Sequence, residues 1–217
     1  MIPKLIHKIF WDFSCENKPL SDFDIFNKCW VLTSDFCNDN NIQLKLWNYQ
    51  DCLQLLKTHY PKYLQLWEDF TQPVMKCDFI RYIILYHHGG IYMDMDVYPL
   101  QDFDDLLHHK QVFAKWNNDK KELPYNALMM SEINNNLFLE IAEHSKTSFY
   151  NKIKIPVYQT WKGRLVFQTT GHYMINRVIQ KYNIKPMDIL KINSKDNIII
   201  SGDNPYFEDF NSSIWYS

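Results

Sequence analysis

Two aspartates, Asp94 and Asp96, flank Met95 directly after a short apolar stretch, Ile91 to Met93. Carboxylates one residue apart at a strand end present two hard oxygen ligands together, an arrangement suited to a magnesium or manganese ion that also holds phosphate oxygens. A D-x-D pattern alone says little in a chain with 25 acidic residues. What precedes it says more. Asp78 and Arg81 are three residues apart and so lie on neighbouring parts of one helix face. They can be read as a structural ion pair, yet the Gly89-Gly90 break folds the following strand back beside that helix, which brings Asp78, Arg81, Tyr92, Asp94 and Asp96 within reach of one cleft.

The elements that position these residues follow from periodicity and punctuation. Val74, Cys77, Ile80, Ile84 and Leu85 recur at helical spacing and predict a helix from Pro73 to His88 with one buried stripe. Pro73 suits its first turn and Gly89-Gly90 its end. Further helices are expected at Asp22 to Phe36, Tyr49 to Leu56, Tyr60 to Phe70, Leu137 to Ser145 and His172 to Tyr182. Strands are expected at Leu5 to Phe10, Gln43 to Trp47, Ile91 to Met93, Gln111 to Lys115, Asn126 to Met130 and Asn197 to Ile200. Alternation of the two implies an α/β fold, with a mostly parallel central sheet flanked by helices. Ligands of such sheets bind beyond the carboxyl ends of the strands, where the Phe10-Trp11 and Asp94-Asp96 segments emerge.

Composition sets bounds on the function. With 217 residues, 46% of them hydrophobic, residues 1–217 are expected to form one domain with a substantial core. A net charge of −2 argues against a dedicated nucleic-acid binder. No run approaches the roughly 18 apolar residues of a spanning helix, and the N-terminus lacks the apolar core of a signal peptide. A cytoplasmic protein is expected, with at most peripheral contact with a membrane face. Cys15, Cys29, Cys37, Cys52 and Cys77 form no C-x-x-C pair and are odd in number, so reduced, packed thiols are expected. The pairs His87-His88 and His108-His109 lack the H-x-x-x-H spacing of a helical zinc site.

Taken together, D-x-x-R, the apolar helix, G-G-I-Y-x-D-x-D-V and the following Pro99-Leu100 resemble the signature of the DXD-motif sugar transferases, glycosyltransferase family 32. The same segment is similar to the catalytic domains of the clostridial glucosylating toxins. Ile2 to Trp11 resembles the family's opening I-P-K-x-I-H-x-x-W, a strand whose terminal aromatic stacks on the nucleotide base. Phe10 stands where the family has Trp and Trp11 follows it, so either ring can supply stacking worth roughly 1–3 kcal/mol per base. Pro124 to Ser131 resembles an N-A segment in which the Asn, here Asn126, lies near the donor sugar; a mid-strand Asn that caps a neighbouring loop is the rival reading. Gln168 to His172 is similar to a T-G-P turn, with His172 in place of Pro and its role open. The C-terminal S-x-W resembles the toxins' closing loop, whose Ser helps ligate the metal and whose Trp contacts the diphosphate-sugar linkage. That assigns Trp215 to the donor and Asn211 or Ser213 to the metal shell, with Asp209 a further candidate; the His that many family members carry before S-W is absent.

The resemblance implies a compact GT-A fold and a metal-dependent glycosyltransferase that retains anomeric configuration. Mn2+ or Mg2+ would be held by Asp96 directly and by Asp94, which also bridges to ribose or sugar hydroxyls. Tyr92 would contact the nucleotide, and Asp78 and Arg81 the donor sugar. The donor would be a nucleotide-diphosphate sugar, a UDP-sugar by preference, and the acceptor a glycan, polysaccharide or protein. Two other classes fit parts of the pattern. A non-catalytic nucleotide-sugar or carbohydrate-binding module would explain Phe10 and the missing His. A DxD phosphatase would use Asp94 as nucleophile and Asp96 as acid/base, but its motif normally follows an N-terminal hydrophobic strand, and Phe207 occupies the offset from Gly202-Asp203 where its second Asp belongs.

Overall fold

A computed structural model describes residues 1–14, 16–118, 121–157, 162–184, 189–193, 198–201 and 204–210. Among the described residues nine strands form one sheet: β1 (Leu5–Ile9), β2 (Gln43–Trp47), β3 (Gly90–Met93), β4 (Val97–Pro99), β5 (Gln111–Asn118), β6 (Lys121–Ser131), β7 (Ile189–Asn193), β8 (Ile198–Ser201) and β9 (Asn204–Asp209), in spatial order β2-β1-β3-β6-β5-β7-β8-β9-β4. The helices are α1 (Asp24–Asp39), α2 (Tyr49–His59), α3 (Leu64–Asp69), α4 (Pro73–His88), α5 (Asn136–Lys152), α6 (Lys162–Thr169) and α7 (His172–Lys181).

The sheet is mixed. β1 runs parallel to both β2 and β3, joined through helices, and β5 runs parallel to β7. The β3-β6, β5-β6, β7-β8, β8-β9 and β4-β9 pairs are antiparallel. Strand-helix alternation predicts the parallel part. Of the antiparallel pairs, β5-β6, β7-β8 and β8-β9 join strands that follow one another closely in sequence, as antiparallel neighbours can, whereas β3-β6 and β4-β9 join strands distant in the chain.

Two-residue alternation assigns the central strands to two cores. Ile91 and Met93, Val112 and Ala114, and Leu128 and Met130 face one side, with Ile6 and Phe207. Tyr92, Phe113 and Met129 face the other, beneath α2 to α7. Helix α4 has the predicted bounds but not the predicted single stripe. From Cys77 to Leu85 every residue is buried, the two charged ones included, because the sheet lies on one side of the helix and α5 packs on another.

The Gly89-Gly90 break has a steric cause. Both residues have positive φ, 63° and 88°. A Cβ on Gly90 would lie 2.4 Å from the Leu5 carbonyl oxygen, and one on Gly89 2.8 Å from the Ile133 nitrogen. Glycine is what lets α4 end and β3 begin against β1 with no intervening loop.

Other elements depart from expectation in extent. The segment from Tyr60 to Phe70 splits into a 3-10 turn, Pro61–Tyr63, and the short α3. Helix α5 runs on to Lys152, and α6, β4, β7 and β9 were not anticipated.

Candidate active site

A cleft of about 820 Å³ opens at the carboxyl ends of β1 and β3. Phe10, Trp11, Asp78, Arg81, Tyr92, Asp94, Asp96 and Asn126 all line it. Asn211, Ser213 and Trp215 lie outside the described residues.

Arg81 is the hub of the cleft floor. Its side chain is 4% exposed and bridges two carboxylates, Asp78 at 3.0 Å and Asp94 at 3.1 Å. Its Nε–H donates to the Cys77 carbonyl at 3.2 Å, and Nη1 donates to the Asn126 carbonyl at 2.8 Å. The guanidinium also lies 4.5 Å from the centre of the Tyr92 ring. These partners account for four of its five N–H groups among the described residues. Asp78 is held as fully: Oδ1 accepts from Asn126 Nδ2 and Oδ2 from the Thr170 hydroxyl, both at 2.9 Å. Burial pushes Asp78 up to about 6, against the pull of Arg81 and these hydrogen bonds. The network is nearly dry, so its members fix one another's positions.

Asn126 reaches Asp78 through a defect in the sheet. The β5-β6 register jumps between Phe113, opposite Met129, and Ala114, opposite Tyr125. Asn126 to Leu128 therefore have no partner on β5. Leu128 pairs with Met93 of β3, and the Ala127 carbonyl accepts from the Asp94 N–H at 2.8 Å. Irregularities of this kind re-aim side chains beside functional sites.

The aspartate pair sits on a turn closed by the Val97 N–H donating to the Asp94 carbonyl at 3.1 Å. Asp94 Oδ1 accepts from the Tyr92 hydroxyl and from Arg81, while Oδ2 makes no hydrogen bond among the described residues. Burial raises the Asp94 carboxyl, Arg81 opposes that, and the neighbouring Asp96 charge adds to it. Asp94 is nevertheless 32% exposed, toward the cleft. Asp96 is half-buried, and its carbonyl accepts from the Phe210 N–H at 3.0 Å. Tyr92 is 1% exposed, and its hydroxyl is spent on Asp94.

Lys8 was not anticipated. It is wholly buried beneath this turn, where its ammonium donates to the carbonyls of Asp94 and Val97. Burial lowers it to about 8, against the attraction of Cys29, Asp96 and Asp94. A lysine in a strand ordinarily reads as a solvent-facing residue. The available signal was its spacing, two residues after the core residue Ile6 on the same strand face. Thr170 and Tyr125 were quoted only as parts of motifs. Thr170 holds Asp78, and the Tyr125 hydroxyl donates to Asp209 at 2.5 Å.

The aromatic residues divide into two groups. Phe10 packs edge-on against Phe23 and Phe26, at 5.2 and 6.2 Å between ring centres. Trp11 sits among Phe13, Tyr49 and Trp67 at 5.7 to 6.2 Å. Both residues keep a part-exposed ring on the cleft.

The donor set suits a divalent cation. Tyr125 is pushed upward by burial and by three carboxylates, Asp209, Asp94 and Asp96, in that order. With Asp78, four carboxylates stand in this region against two cations, Arg81 and Lys8. Clustered carboxylate oxygens of this kind are the ligands a hard divalent ion takes. No group of three or more His, Cys, Asp or Glu side chains is preassembled as a metal site among the described residues.

Residues 25–113 match a family described as the glycosyltransferase sugar-binding region containing DXD motif. The chain is 25% identical over 215 residues to inositol phosphoceramide mannosyltransferase 1 of Schizosaccharomyces pombe, covering 99% of this chain and 62% of that protein. It is 32% identical over 107 residues to the Saccharomyces cerevisiae mannosyl phosphorylinositol ceramide synthase SUR1, 49% of this chain and 26% of that one. The chain thus spans less than two thirds of the length of these relatives. Among solved structures, the PaToxG glycosyltransferase superposes with a TM-score of 0.54 at 14% identity, over 83% of this chain and 70% of that one. The fold is therefore of the GT-A type. Residues 25–113 are thus similar to the sugar-binding region of the DXD-motif glycosyltransferases, as the motifs led us to expect. No described helix is long and apolar enough to cross a membrane.

Proposed function

We propose that this chain is a metal-dependent, retaining glycosyltransferase that moves a hexose from a nucleotide-diphosphate sugar to a hydroxyl-bearing acceptor. The observation that carries the reading is Arg81, which joins Asp78 of α4 to Asp94 of the D-x-D turn inside one cleft at the strand ends. Phe10 or Trp11 stacks on the base at the end of β1. Asp94 and Asp96 would hold Mn2+ or Mg2+; Asn211 or Ser213 for the metal and Trp215 for the diphosphate, all outside the described residues, are the further candidates. When bound there, such an ion would supply Lewis-acid stabilisation, worth several kcal/mol, of the charge on the leaving diphosphate.

The residues around it orient the sugar. The remaining Arg81 N–H meets a donor oxygen, with Asp78 and Asn126 holding the guanidinium in register. Tyr92 buttresses Asp94 from below. In the transfer step the anomeric carbon–phosphate oxygen bond breaks, the acceptor oxygen bonds to the same carbon on the same face, and the acceptor's proton passes to the leaving phosphate oxygen. No side chain is assigned as general base.

The sequence resemblance favours a UDP-sugar, whereas the names of the two yeast relatives put mannose first among the sugars to be tested. Glycan, polysaccharide and protein acceptors all fit, and the relatives' names add an inositol-containing lipid. Four cysteines, Cys29, Cys37, Cys52 and Cys77, are buried free thiols, which supports a reducing, cytoplasmic setting; Cys15 lies outside the described residues. The test is to incubate the protein with Mn2+ and UDP-glucose, UDP-galactose, UDP-N-acetylglucosamine or GDP-mannose, and follow release of nucleoside diphosphate with and without acceptors. Metal-dependent release from one donor is expected. Release from none, with or without acceptor, would contradict the proposal.

A further inference from the structure

One wall of the cleft is not used by the reading above. Between α6 and α7 the chain turns tightly at Gly171, where a Cβ would lie 3.1 Å from the Phe167 Cα. The turn brings Phe167, His172 and Tyr173 together on the cleft, with the His172 ring centre 4.7 Å from Phe167 and 4.4 Å from Tyr173. Tyr173 is 36% exposed, and His172 is half-buried with no hydrogen bond to either ring nitrogen among the described residues. Burial lowers His172 to about 4, so near neutral pH the imidazole is uncharged and offers one N–H donor and one acceptor nitrogen.

Its place in the fold gives this wall a direction. Across the sheet β1, β3 and β6 are neighbours in that order. β1 leads into Phe10 and Trp11, β3 leads into Asp94, and β6 carries Asn126, with α7 packed against β6. The wall therefore lies on the far side of the carboxylates from the residues assigned to the base. It is also tied to the floor, because Thr170, two residues before His172, donates to Asp78.

We propose that Phe167, His172 and Tyr173 form the acceptor subsite and that it takes a polyhydroxylated six-membered ring, a pyranose or a cyclitol. Such a ring has an apolar C–H face that packs on an aromatic surface, while its hydroxyls need a partner that both donates and accepts. The inference rests on the transferase reading, which fixes the other end of the cleft as the donor side.

The test uses ligand-observed saturation-transfer NMR on the whole chain with Mn2+ and either UDP or GDP. The probes are methyl α-mannopyranoside, methyl β-glucopyranoside, methyl β-galactopyranoside and myo-inositol. Transfer to the ring protons of at least one probe is expected, and which one responds separates a sugar from a cyclitol. In His172→Ala and Tyr173→Ala the affinity for that probe should fall about ten-fold. Nucleotide affinity, measured in parallel, should change less than about two-fold. Should either alanine variant fail to fold, His172→Gln, which keeps a donor and an acceptor, should hold affinity within about three-fold, while Tyr173→Leu should lose it. No probe binding to the wild-type protein, equal binding to the variants, or an equal loss for nucleotide and probe would overturn the subsite. Absence of nucleotide binding to the wild-type protein would instead refute the transferase reading, and the same probes run without nucleotide keep the two failures apart.

Discussion

Helix α4 carries two groups of titratable side chains, one in its first half and one at its end, and they are buried in opposite ways. Asp78 and Arg81 are buried as charges, paired with each other and with Asp94. At the other end, His88 lies 5.8 Å from His7 and 5.3 Å from Trp47; His7 is buried and His88 half-buried, and both are held neutral. His7 is lowered to about 3 and His88 to about 4, in both cases chiefly by burial. His7 needs no charge, because Nδ1 accepts from the Trp47 Nε1–H at 3.1 Å and Nε2–H donates to the Gly89 carbonyl at 3.0 Å. A buried charge is costly unless it is paired, and helix α4 keeps its buried ion pair where it faces the cleft. The contrast distinguishes polar groups held for a charged ligand from polar groups that complete packing.

The sharpest way to break the contrast is Asp96→Ala. Removal of one carboxylate from the cleft should lower transfer about a thousand-fold, equivalent to several kcal/mol of lost charge stabilisation. Thermal unfolding should be nearly unchanged, because Asp96 is half-buried and is not among the groups that hold Asp78 and Arg81. At the packing end, Gly90→Ala should act the other way. With a φ of 88° and a carbonyl 2.4 Å from the new Cβ, it should cost about 2–4 kcal/mol in denaturant unfolding, and activity should fall only as folded protein is lost.

Lys8→Met separates position from charge. The variant leaves the Asp94 and Val97 carbonyls without the ammonium, at about 1–3 kcal/mol for each orphaned group. If Lys8 acts by holding the D-x-D turn, manganese affinity measured by calorimetry should fall. If its charge alone mattered, loss of a cation beside two carboxylates would raise that affinity.

The smallest effect is in pH dependence, where the two ends should slope in opposite directions. Below the unfolded histidine value of 6.5, unfolded chains take up protons that native His7 and His88 refuse until about 3 and 4, so this end loses stability as pH falls. Native Asp78 takes up its proton near 6 whereas the unfolded chain waits until 3.8, so the site end gains stability over that interval. Denaturant unfolding at pH 7, 5.5 and 4.5 should show a net loss on acidification. His88→Gln should flatten the loss and Asp78→Asn should steepen it.

The sequence made one half of this molecule more legible than the other. Helix α4 carries a proline start, a double-glycine stop and helical spacing between them, and its bounds are those expected. The local motif also named the residues that gather at the cleft floor, because α4, the glycine turn and β3 are contiguous. What escaped notice depends on partners distant in sequence. The β5-β6 register shift that aims Asn126 at Asp78 is set by pairing with β3, and burial of Lys8 is set by a turn 86 residues away. The stripe expected on α4 proved too narrow because α5, which covers another side of it, could not be placed from sequence. Strands β4 and β9, only three and six residues long, pair with each other across the chain and carry too little periodicity to be recognised alone.

Two aspartates that hold a divalent ion and, through it, a nucleotide sugar make donor binding depend on metal. Calorimetric titration of the purified protein with UDP-glucose and GDP-mannose, in manganese and then in chelator, tests it most directly, with Asp96→Ala as the control. One donor should bind, only with the metal present, and its binding should be lost in the variant. Equal binding in chelator, or undiminished binding by Asp96→Ala, would contradict it.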